Sequence, residues 1–138
     1  MVSGRRTDAA CWRTLLVIGS AREAGDAVAR TLRSLPGAGA VHIDVLGLAT
    51  PVPFVAGFAF PAAALERDIA RDAHLGLLAV LDTLPPDLSA GARVVRGRLT
   101  TVVRAAMAAE AYDDVVLGLP RVPRRLARRL PLGHRPQG

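Results

Sequence analysis

Apolar positions along the chain follow two alternating periods. Residues 14–18 (Thr-Leu-Leu-Val-Ile) form a short unbroken apolar run closed by Gly19, the pattern of a strand covered on both faces. Ser20 and Glu23 have capping-box spacing, in which the hydroxyl accepts a backbone N–H and the carboxylate reaches back, so a helix is expected to start there. Val28, Leu32 and Leu35 continue at helical spacing until Pro36 and Gly37 stop the helix. Residues 41–46 predict a second strand, with Val41, Ile43 and Val45 on one face and His42, Asp44 and Leu46 on the other.

After an irregular stretch carrying Pro51, Pro53, Phe54, Phe58 and Phe60, Pro61 opens the longest helix. Its stripe runs through Leu65, Ile69, Ala73, Gly76 or Leu77, Val80 and Leu84, and Pro85-Pro86 ends it. Residues 92–96 predict a third strand ended by Gly97. Thr100 or Thr101 is placed to cap a helix bearing Val102, Val103, Ala106 and Met107, and Asp113 and Asp114 lead into a fourth strand at 115–118. Strands that alternate with helices imply right-handed crossovers over a parallel sheet, hence a three-layer α/β fold. Ligands of such sheets bind at the carboxyl ends of the strands, which directs the search to the loops starting at Gly19, Gly47, Gly97 and Gly118.

Composition narrows this picture. A chain of 138 residues is one domain, able to bury a core unaided. A single cysteine, Cys11, excludes a disulfide scaffold and a structural zinc site, and points to the cytosol. No apolar run approaches a membrane span. Arg5 and Arg6 ahead of the first apolar run imitate a twin-arginine export signal, but Arg13 and Arg22 bracket the run too closely for one. The net charge of +6 is local: twelve arginines balance twelve acids up to Pro120, and Arg121, Arg124, Arg125, Arg128, Arg129 and Arg135 follow with no acid among them. The expected organisation is an arm at 1–12, an α/β body at 13–120 and a basic tail at 121–138. Within the tail, Leu126 and Leu130 among four arginines describe a short basic amphipathic helix. With few aromatics to stack on bases, it would give at most weak, non-specific nucleic-acid contact.

The strand at 92–96 ending in Gly97, the helix after it, and Tyr112-Asp-Asp-Val-Val-Leu-Gly118 together resemble the second half of the universal stress protein family, and the first half agrees in layout. The resemblance covers roughly residues 13–118. It implies a Rossmann-like sheet of the adenine-nucleotide alpha-hydrolase type, with strand order 3-2-1-4 and without the family's fifth strand. It also implies a stress-response or regulatory role and dimerisation.

The departures bear on the cofactor. ATP-binding members carry an aspartate at the end of strand one, where this chain has Val17, Ile18, Gly19 and Ser20. Of the three glycines that cradle phosphates after strand four, Gly118 is kept, Arg121 and Pro131 stand at the other two places, and Gly133 comes two residues late. The expectation is therefore a non-catalytic domain with a degenerate nucleotide site and no cofactor, acting as a homodimer or through a protein partner. The missing fifth strand places the open sheet edge at strand four, or at strand one in another order. One alternative is an ATP-, AMP- or other anion-binding member using Gly19, Ser20, Gly97, Arg98, Gly118, Arg121 and Gly133. Another is a basic-tailed nucleic-acid accessory protein.

Catalytic constellations are sparse. His42, His74 and His134 do not cluster by spacing; His42 shares a strand face with Asp44 but has no third partner in the local sequence. His74 reads as a helix-surface residue, Asp114 as a strand-entry residue and Cys11 as a partly buried small side chain. Ser20 lacks the flanking glycines of a nucleophile elbow and reads as a cap.

Overall fold

The computed structural model describes residues 11–51 and 62–119. Four strands and three helices follow one another as β1 (Trp12–Ile18), α1 (Ala24–Arg33), β2 (Val41–Ala49), α2 (Ala62–Thr83), β3 (Ser89–Arg96), α3 (Leu99–Ala109) and β4 (Asp114–Gly118). The sheet is parallel throughout and ordered β3-β2-β1-β4, the expected α/β topology. The expected arm and tail, with Arg121, Gly133, His134 and the three phenylalanines, lie outside the described residues.

The two faces of the sheet sort the apolar residues by parity, as the period of a strand requires. Leu16, Ile18, Ile43, Val45 and Val116 pack under α1 and α2 against Ala27, Val28, Leu77, Val80 and Leu84. Leu15, Val17, Leu46, Leu48, Val115 and Leu117 pack under α3 against Val102, Val103 and Ala106. β1 lies in the middle of the sheet and is buried from Thr14 to Ile18, which explains its unbroken apolar run. Thr14, the polar residue among these buried ones, accepts the Trp12 indole N–H at 2.8 Å.

Several local expectations are corrected. A 3-10 turn, Ala21–Glu23, precedes α1, and Ser20 does not cap it: its hydroxyl donates to Glu23 Oε1 at 2.7 Å instead of accepting a backbone N–H. β2 runs on to Ala49, so Gly47 lies inside the strand and starts no loop. α3 starts at Leu99 with Arg98 in the cap position and no side-chain cap, so Thr100 and Thr101 sit within the helix. β3 starts three residues earlier than expected, at Ser89. Ser89, Ala90 and Gly91 carry no strand signature because this edge strand is mostly exposed and needs little apolar cover.

Strand four is an edge of the described sheet, as expected. β1 is interior, and the edges are β3 and β4. Every residue of β4 is buried, and Arg30 Nη2 donates to the Leu117 carbonyl at 3.0 Å. The exposed edge is β3, where Arg93 and Arg96 supply the charge that discourages strand addition.

Candidate functional site

At the carboxyl rim, order 3-2-1-4 places the topological switch point between the ends of β1 and β4, where Gly118 pairs with Ile18 and Gly19 follows. The glycines let protein pack on protein there. A Cβ on Gly19 would stand 2.9 Å from Leu119 Cδ2, and one on Gly118 2.7 Å from the Ala27 Cβ. α2 closes over Ser20 through Gly76, whose Cβ would lie 2.8 Å from the Ser20 backbone. Gly97 has φ of +144°, a conformation suited to glycine, and donates its N–H to the Ala49 carbonyl at 3.1 Å. Arg98 is exposed beside it.

Gly19, Ser20 and Gly118 are thus brought together, with Gly97 and Arg98 at the ends of their own strand and helix. A side chain at either of these rim glycines would meet Leu119 or Ala27. The recess bordered by Ala49, Thr50, Pro51, Glu66, Ile69 and Arg96 holds about 70 Å³, well short of the roughly 300–1,000 Å³ of small-molecule sites.

The polar chemistry gathers at the opposite, amino-terminal end of the sheet. Strand register sets Arg13 beside His42 and His42 beside Ser89, on the face that α3 covers farther along. His42 Nε2 lies 2.8 Å from Asp44 Oδ1, and His42 Nδ1 lies 2.7 Å from Ser89 Oγ. Asp44 Oδ2 accepts the Tyr112 hydroxyl at 2.7 Å and Arg13 Nη2 at 2.9 Å. Glu110 stands 3.7 Å from the same Nη2, and the Arg13 guanidinium carbon lies 5.8 Å from the centre of the Tyr112 ring. Gly91 leaves room for the group: a Cβ there would be 3.3 Å from Asp44 Oδ1.

Electrostatics shift three members of the cluster, Asp44, Tyr112 and Arg13. Burial pushes the Asp44 carboxyl up, but hydrogen bonds from Tyr112 and His42 and the electrostatic pull of His42 and Arg13 outweigh it and hold it below the usual carboxylate range. Burial, and then donation to Asp44, push the Tyr112 phenol well above its usual value. Burial works against the Arg13 charge, yet Glu110 and Asp44 raise its affinity for the proton. An ionised Asp44 only accepts, so Nε2 of His42 is the donor to it, and in the tautomer with its one proton on Nε2 the Nδ1 lone pair faces the Ser89 hydroxyl. This serine, imidazole, carboxylate order can draw a proton from a hydroxyl.

The third partner that the local sequence withheld from His42 is therefore Ser89, with Arg13 and Tyr112 holding the carboxylate. Arg13 and Ser89 come from the neighbouring strands and Tyr112 from the segment before β4, and no local pattern signals that they meet. His74 is exposed on α2, Asp114 is buried at the start of β4 and Cys11 is a half-buried free thiol, each as expected. Among the described residues no group of three or more His, Cys, Asp or Glu is placed to hold a metal ion, and no helix is long and apolar enough to cross a membrane. No family model, curated protein or solved structure matches the chain.

Proposed function

We propose that the chain is a non-catalytic regulatory domain of universal-stress-protein type that works through dimerisation or a protein partner and has given up the nucleotide. The observation that carries this reading is Leu119 at the switch point, seated where a Cβ on Gly19 would stand 2.9 Å from its Cδ2. A stress-response role in the cytoplasm belongs to the same reading, which the strand order and the free Cys11 support. Under this reading the Asp44 cluster is a clamp that holds the starts of β1, β2 and β3 and the entry to β4 in register. Thermal unfolding of the full chain with ATP, AMP and cyclic nucleotides tests it. No saturable rise in Tm is expected; a saturable rise with any of them restores the nucleotide-binding alternative.

A second reading rests on the relay of Ser89, His42 and Asp44, which suits attack by an activated hydroxyl on an ester or amide carbonyl. Labelling by a fluorophosphonate probe that both Ser89→Ala and His42→Ala abolish supports catalysis. Absence of labelling in the folded chain leaves the clamp.

A further inference from the structure

We propose that the outer face of α2 is a self-complementary surface on which a second copy of this chain docks, with the two α2 helices antiparallel. The inference rests on the self-association reading above and gives it a surface. Leu75, Leu78 and Leu81 are 46%, 48% and 38% exposed, although the opposite face of the same helix buries Ala73, Leu77 and Val80. A shallow apolar concavity bounded by Ala21, Leu75, Leu78, Ala79, Leu81 and Asp82 adjoins the stripe. Neighbouring exposed leucines on one helix face form a contiguous apolar stripe of the kind that partner contacts use.

The occupant follows from the order of charges. Arg71, Leu75, Leu78 and Asp82 are all exposed and fall within an arc of about 60° on a helix of 3.6 residues per turn. Their spacing is symmetric about a point midway between Leu75 and Leu78, and the symmetry inverts the charge. A two-fold axis through that point sets Leu75 against Leu78 of the second copy and Arg71 against its Asp82, each twice. A parallel arrangement in the same register would oppose arginine to arginine and aspartate to aspartate. Neither Arg71 nor Asp82 has an ion-pair partner among the described residues, so both are available. Antiparallel helices crossing at about 20° keep both charge pairs, roughly 16 Å apart along the axis, within reach. The exposed β3 edge carries Arg93 and Arg96 and offers no such complement.

One helix face is small beside the roughly 1,600 Å² of a standard interface, so a dimer dissociating in about the micromolar range is expected. Sedimentation equilibrium of the full chain over a wide concentration range, with circular dichroism to verify folding, tests the assignment. L75E with L78E should give a folded monomer. R71D alone and D82R alone should each raise the dissociation constant about tenfold by bringing like charges together, and the double reversal R71D with D82R should restore it to within about threefold. A dimer that ignores the leucine and charge variants overturns the α2 assignment and leaves self-association through another surface. A monomer at every concentration overturns both the assignment and dimerisation as the mode of action.

Discussion

Tyr112 donates its hydroxyl to Asp44 Oδ2 across 2.7 Å, joining residues 68 positions apart in the chain. The bond ties the segment that enters β4 to the first half of β2, over the start of β1, where Arg13 reaches the same oxygen. Arg13 also exchanges backbone and side-chain bonds with Asp113, donating its N–H to Oδ2 at 2.9 Å and accepting the Asp113 N–H at 2.8 Å. The amino-terminal end of the sheet is thus held together by polar contacts, where the carboxyl end is held by close packing at glycines.

Tyr112 is the only tyrosine of the chain, so its ionisation can be followed directly by ultraviolet absorbance. Its folded-state pKa is raised, so the stability it lends is present below the unfolded value of about 10 and is lost as pH climbs above that toward the folded value. The expected titration midpoint lies above that of free tyrosine and moves back toward it in Asp44→Ala. An ordinary midpoint in the folded native chain would contradict the bond.

Asp44 acts on the acid side. Its folded-state pKa is lowered, so its contribution is complete above the unfolded value of about 3.9 and is lost as pH falls through the folded value. Asp44→Asn should cost about 1–3 kcal/mol at neutral pH. It should also shrink the loss of stability between pH 6 and pH 3 relative to the native chain. Urea unfolding at the two pH values measures both effects.

Glycine substitutions should separate by what surrounds them. Gly118→Ala drives a Cβ to 2.7 Å from the Ala27 Cβ, and overpacking of this kind costs about 1–3 kcal/mol. Gly25→Ala, at an exposed position in the first turn of α1 with nothing within 4 Å of the new atom, should stabilise by about 0.4–1 kcal/mol. Denaturant midpoints of opposite sign are the expected result.

Gly19 and Leu119 should be energetically coupled. Gly19→Ala meets a leucine tip at 2.9 Å, and Leu119→Ala removes that tip. The double variant should therefore be more stable than the sum of the single changes implies, by about 0.5–1 kcal/mol. Strict additivity in a double-mutant cycle would show that Leu119 does not occupy the crevice.

Much of the fold was legible because its signals are local. An unbroken apolar run closed by glycine reports a strand buried on both faces, and β1 and β4 were read that way within two residues at each end. β3 was read three residues short, because an exposed edge strand has no apolar pattern over Ser89, Ala90 and Gly91. The capping box at Ser20 and Glu23 has the right residues at the right spacing, yet the hydroxyl found the carboxylate closer to hand than a backbone N–H. Gly19, Gly97 and Gly118 fall at strand ends as expected and Gly47 does not, but the use of such glycines was not legible: a glycine that admits a phosphate and one that admits a leucine are the same letter.

The sequence by itself determined the order of strands and helices, the burial of the central strand, the dispersed histidines and the charge symmetry of Arg71, Leu75, Leu78 and Asp82, because each depends on spacing along a single element. Tertiary structure alone decided that Ser89, His42, Asp44, Tyr112 and Arg13 meet and that Leu119 fills the switch point. Those contacts arise from the register of parallel strands joined by long crossovers, and register is fixed by how the whole core packs.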